Sequence, residues 1–155
     1  MLGLVKEAML LLSQYCDSKL KEDLSQEEYR KHMPATSVLF YQESEGEAPV
    51  VEWLDELKRK NPKGFANCVG RIRQLQSTGH ELRRPSADYL RDGVYELRAK
   101  HRNVQYRILY FFHGQNVAVL GHSIIKKTNT VPNKDIDLAI KRKKRFEQNP
   151  EQHTY

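Results

Sequence analysis

The chain has 155 residues, 39% hydrophobic and 30% charged, with a formal net charge of +6. That length suits one core and is short for two. The apolar run Met9-Leu10-Leu11-Leu12 is too short to span a bilayer and has no small-residue cleavage site behind it, which argues against a membrane span or a secretory signal. Cys16 and Cys68 form no CxxC pair, and the six histidines make no zinc pattern with them. The reading is a cytoplasmic protein with reduced thiols, no metal and no cofactor. Charge is unevenly placed. Residues 1–60 hold 8 Lys/Arg against 12 Asp/Glu, whereas residues 61–155 hold 18 against 8. A basic excess confined to one part of a chain points to a polyanionic partner.

In chain order, residues 1–32 read as a helical extension. Leu2, Val5, Met9, Leu12, Cys16 and Leu20 recur at helical spacing, and Ser25 with Glu28 fits a capping box. The extension could cover the domain or form a dimer contact, or Met33 could open a shorter product. A domain is expected over 33–148, with a polar tail at 149–155. Ser37–Tyr41 predicts a strand. Pro49 suits the first turn of a helix running to about Lys60, with Val50, Trp53, Leu54 and Leu57 inward. Asn61-Pro62 breaks it, and a second helix follows to about Gln76, ended by Gly79. Residues 79–92 read as a basic loop. Three strands are expected near Val94–Lys100, Val104–His113 and Asn116–Ile124, antiparallel because their connections are short. A last helix spans about Asn133 to Gln148, acidic early and basic late, as a helix dipole prefers. The fold class is α+β: a small, mainly antiparallel sheet packed with helices in the order βααβββα.

Two arginines sit inside strand-like runs, Arg98 in Tyr95-Glu96-Leu97-Arg98 and Arg107 in Tyr106-Arg107-Ile108-Leu109-Tyr110. Strand alternation places Glu96, Arg98 and Lys100 on one face and Gln105 with Arg107 on one face of the next strand. If those faces coincide, the guanidinium groups converge on a phosphate-binding patch. Lys126 and Lys127 end the following strand. Arg83, Arg84, Lys100 and Arg102 add cations that could touch a phosphate backbone. Glu96 reads as an ion-pair partner for Arg98. His101, His113 and His122 are the acid–base suspects, with His122 in phase with Ala118 and Leu120. No GxSxG elbow, Walker loop, HExxH or dinucleotide fingerprint is present.

Taken together, Val38-Leu39-Phe40-Tyr41, Pro49–Leu54, Leu82-Arg83-Arg84-Pro85, Leu90–Arg98, Tyr106–Tyr110 and the tail pattern Lys126-Lys127-Thr128, Pro132, Ile136, Ala139 make Pro34–Phe146 resemble the RelE/HigB-type toxins, in their phage-derived branch. The resemblance implies the compact fold of that family and a toxin of a type II toxin–antitoxin system. Such a toxin is a metal-independent endoribonuclease that cuts mRNA on the ribosome, by attack of the ribose 2′-hydroxyl on the adjacent phosphate. It also implies a cognate antitoxin, of helix-turn-helix type, and no membrane. By position, Arg98 and Arg107 match the strand arginines, and Lys126 or Lys127 falls near a later basic position. A catalytic tyrosine near the C-terminus has no match before Tyr155, and His122 is the nearest candidate for a histidine. The alternative is a non-catalytic module that binds nucleic acid or the antitoxin.

Overall fold

The computed structural model describes residues 36–155; the expected 1–32 extension lies outside the described residues. Nine elements follow: β1 (Ser37–Phe40), α1 (Pro49–Lys60), α2 (Pro62–Thr78), a 3-10 turn (Gly79–Glu81), β2 (Ala87–Arg91), β3 (Val94–His101), β4 (Val104–His113), β5 (Val117–Lys126) and α3 (Asn133–Gln148). The α+β class and the antiparallel core of the sheet match expectation. The spatial order is β1-β5-β4-β3-β2. Among the described strands only β1 pairs parallel, with β5.

The helices begin and end where backbone chemistry says they should. The Asn61 side chain accepts from the Gly64 N–H at 3.0 Å and caps α2. Gly79, at φ +57°, closes α2, a conformation that L side chains resist. Between β2 and β3, Asp92 (φ 50°) and Gly93 (φ 78°) make the two-residue turn that the Asp-Gly pair favours.

The sheet lies between two layers. On one face, Val50, Leu54 and Leu57 of α1 with Cys68, Ile72 and Leu75 of α2 pack on Leu97, Tyr106, Ile108, Tyr110 and Leu120. On the other, α3 sets Ile136 and Ala139 on Val94, Leu109 and Val131, and Phe146 on Tyr41, Phe111 and Val119. Burial pushes the Cys68 thiol up to about 12, so it stays protonated and inert. Residues 149–155 run back along the edge strand. Tyr41 bridges Thr154, the Gln42 N–H bonds the His153 carbonyl at 2.9 Å, and the His153 ring stacks on Tyr41.

Two expectations are corrected. The stretch Ala87–Arg91, read as loop, is an edge strand pairing with β3, so the order is βααββββα. An edge strand with one wet side carries no clean apolar alternation. Second, a bulge between Leu109 and Tyr110 leaves Gly121 without a partner: Leu109 faces His122 but Tyr110 faces Leu120. That extra residue turns His122 away from the side of Ala118 and Leu120 and onto the α3 side. Gly121 tolerates the approach because a Cβ there would meet the Phe111 ring at 3.3 Å.

Candidate functional site

Arg98 and Arg107 stand directly opposite one another in the β3–β4 register, so their side chains share one face of the sheet, the face that α3 covers. Lys126, opposite Gln105 on β5, joins them on that face. Beyond the N-terminal end of α3 the helix leaves the sheet open. There a cavity of about 560 Å³ forms, within the usual range for a ligand site. Arg84, Asp88, Glu96, Arg98, Lys126 and Asn129 are among its lining residues, with Pro132 and Asn133 of the α3 start.

Beneath the cavity lies a carboxylate shared by both arginines. Glu96 is 2% exposed; its Oε1 accepts from Arg98 Nε at 2.8 Å, and its Oε2 lies 3.3 Å from Arg107 Nε. The second contact is an ion pair without hydrogen-bond geometry. Arg107 is only 5% exposed, and its two terminal nitrogens donate to the Tyr106 carbonyl at 2.9 Å and to Gln105 Oε1 at 2.7 Å. Burial pushes its guanidinium below the ordinary value, Glu96 opposes that, and Arg98 adds to it. Arg107 therefore lies beneath the cavity, outside its lining, paired with Glu96.

Arg98 differs. Its side chain is 28% exposed and it lines the cavity. Nε is held by Glu96 and Nη2 donates to Asp88 Oδ2 at 3.2 Å, which leaves the Nη1 edge uncommitted among the described residues. Asp88 also takes Arg84, whose Nε and Nη2 donate at 2.9 and 2.6 Å. The Arg84 hydrogen bond, above all, holds the Asp88 carboxyl below its usual range. From α2, Arg71 Nε donates to the Arg98 carbonyl at 2.8 Å and braces the strand from behind. Burial first, then the charges of Arg107 and Arg98, push the Lys126 ammonium below its ordinary value against the pull of Glu96.

The remaining expected residues are dispersed. His122 sits on the correct face but outside the cavity lining. Its Nε2 is 2.8 Å from Asp135 Oδ1, and its Nδ1 is 3.2 Å from Arg142 Nη1. A guanidinium can only donate, so Nδ1 accepts and Nε2 carries the proton to Asp135. Burial lowers the His122 value, the Asp135 bond opposes this, and Arg142 reinforces it. Arg142 also reaches Glu43 at 3.0 Å and the Gly121 carbonyl at 2.8 Å. This network docks α3 on β5 and commits His122 to it. Lys127, Lys100 and Arg102 are exposed and outside the cavity lining, with Arg102 in the β3–β4 turn at φ 53°. Arg83 is exposed and donates to the backbone carbonyls of His80 and Leu82. His101 ends β3 and His113 ends β4, where it packs on Phe146. Tyr155 packs against the α1–α2 side of the core.

Sequence reasoning missed Asp88 and the loop at Asn129–Thr130. Asp88 was hidden because its strand was read as loop. The signal that could have found it was the spacing Arg84-x-x-x-Asp88 before a turn pair. Among the described residues no cluster of His, Cys, Asp and Glu could hold a metal ion, and no helix is long and apolar enough to cross a membrane.

The model of the family described as "Phage derived protein Gp49-like (DUF891)" matches residues 52–144. The chain belongs to this family. No curated protein matches it. The Gp49-like match begins inside α1 and ends inside α3, so it holds every cavity residue named above, while β1 and residues 149–155 fall outside it.

Proposed function

We propose that this Gp49-like protein is the toxin of a type II toxin–antitoxin pair of RelE/HigB kind, an endoribonuclease acting on mRNA at the ribosome and hence in the cytoplasm. The observation that carries the reading is the cavity where Arg98 and Lys126, brought together from β3 and β5, face solvent over the buried Glu96–Arg107 pair. A guanidinium and an ammonium on one open surface suit a phosphodiester that gains negative charge in the transition state. In the reaction the ribose 2′-oxygen bonds to phosphorus and loses its proton to water, and the bond from phosphorus to the 5′-oxygen breaks as that oxygen takes a proton. Products are a 2′,3′-cyclic phosphate and a 5′-hydroxyl. Arg98 stabilises the phosphorane oxygens. Lys126, its value lowered chiefly by burial, protonates the departing oxygen. Arg107 and Glu96 hold Arg98 in place. A helix-turn-helix antitoxin is the expected partner.

The test is cleavage of a defined mRNA in a purified translation system, with mapped 5′ ends. New ends with a 5′-hydroxyl support the reading, and Arg98→Ala should abolish them in protein that circular dichroism shows to be folded at the assay temperature. Equal cleavage by Arg98→Ala removes the site assignment. One observation favours a second reading, a module that binds nucleic acid or its antitoxin without cutting: both strand arginines already contact carboxylates. Steeply salt-dependent RNA binding with no new ends, with or without ribosomes, selects that reading.

A further inference from the structure

The opposite face of the same sheet edge carries an aromatic row, of which Tyr89 alone also borders the cavity. Tyr89 of β2, Tyr95 of β3 and Tyr110 of β4 are in register across three strands. Tyr89 meets Tyr95 edge-on at 5.1 Å, Tyr95 meets Phe112 at 5.5 Å, and the His80 ring stacks on Phe112 at 3.6 Å. The row crosses the strands instead of following one of them. Tyr110 is fully buried and forms its floor, whereas Tyr89 is 54% exposed and His80 is exposed as well. Tyr95 and Phe112 are half-buried between them. The Tyr89 hydroxyl accepts from the Gly93 N–H at 3.4 Å, which ties the ring to the β2–β3 turn.

A large, half-exposed aromatic ring on an edge strand is costly to leave in water and invites an occupant. The charges beside it choose which one. Arg83 donates to the carbonyls of His80 and Leu82, at the end of the row where the His80 ring stacks on Phe112. Arg84, the next residue, lines the cavity on the other face. Along β2, Asp88 is paired with Glu96 on the cavity face and Tyr89 with Tyr95 on the aromatic face. The row thus adjoins the cavity at Tyr89, which lines it, with Arg84 on the cavity side and Arg83 on the His80 side.

We infer that Tyr89, backed by Tyr95 and Phe112, is a stacking platform for an unpaired base of single-stranded RNA, whose backbone passes over the β2 edge to the Arg98–Lys126 cavity. This deepens the reading of the cavity as an RNA site and rests on it. Stacking on an aromatic ring tolerates any base, so the platform anchors the strand without choosing its sequence.

The experiment measures binding of a short unstructured RNA with 2′-O-methyl riboses, which block attack, by fluorescence anisotropy across a salt series. A matching set carries one abasic nucleotide at each position in turn. Tyr89→Ala should weaken binding about 5- to 100-fold with the salt slope unchanged, since a ring releases no counterions. Arg84→Ala should flatten that slope. Tyr89→Phe should bind like the parent. With one abasic RNA the Tyr89→Ala penalty should vanish, a coupling that a merely structural role would not produce. If the parent binds RNA and Tyr89→Ala binds equally well, the platform is wrong while the cavity reading stands. If the parent binds no RNA at all, both fail. A penalty that persists with every abasic probe also overturns the platform and assigns Tyr89 to the fold or to a protein partner.

Discussion

Removing the Glu96 carboxylate is the sharpest test of how this site is built. Glu96→Ala leaves the Arg107 guanidinium, 5% exposed, with only a carbonyl and the Gln105 side chain as partners. Arg98 keeps Asp88 at 3.2 Å and is partly wet, so its share of the loss is small. Breaking a buried ion pair from one side costs about 3–5 kcal/mol, because the surviving charge stays desolvated. Such a loss is a large part of the roughly 5–15 kcal/mol that a domain holds. At about 3 °C per kcal/mol for a chain of this size, the melting temperature should fall by about 10–15 °C. Differential scanning calorimetry measures it directly. The double change Glu96→Leu with Arg107→Met should recover most of the loss, since apolar side chains of similar volume replace a buried pair at little cost. If Glu96→Ala melts with the parent, or if the double variant is no better than the single one, the pair does not carry the strain assigned to it.

Three further outcomes follow from the same geometry. The His122 value is lowered in the folded state, so its contribution is present above the ordinary value near 6.5 and is lost as pH falls below it through the folded value; thermal melts from pH 7 to pH 5 should lose stability more steeply for the parent than for His122→Gln, and parallel curves would refute this. The Lys126 value is also lowered, so RNA affinity should fall with rising pH before an ordinary lysine would discharge, and Lys126→Arg should shift that fall to higher pH; identical profiles would contradict the role. Gly93→Ala, at φ 78° in the β2–β3 turn, should cost about 1–2 kcal/mol in urea unfolding, and a neutral result would deny the left-handed requirement.

How much of this was legible beforehand varies with how local the signal is. The bounds of α1, α2 and α3 could be read because Pro49, Asn61-Pro62, Gly79 and the charge gradient of 133–148 are punctuation written in neighbouring residues. The convergence of Arg98 with Arg107 was expected as a condition on register, and the two-residue turn at Arg102–Asn103 meets it. Asp88 escaped notice because an edge strand with one solvated side has no apolar rhythm. His122 was assigned to the wrong side of the sheet, since alternation counts residues evenly and the bulge at Gly121 adds one.

Period, capping chemistry and the placing of cations inside strands were local matters, and they specified an α+β domain with a basic sheet. Which of those cations meets solvent was not local. Arg98 and Arg107 have the same chemistry and share a face, yet Arg107 is buried against Glu96 and Gln105 while Arg98 reaches the cavity. The parallel seat of β1 beside β5, the return of residues 149–155 along its edge, and the single carboxylate between two guanidiniums likewise depend on contacts between residues far apart in the chain. Burial belongs to the packed assembly and not to any stretch of residues, and burial decides which charges in this protein meet solvent and which are locked into ion pairs.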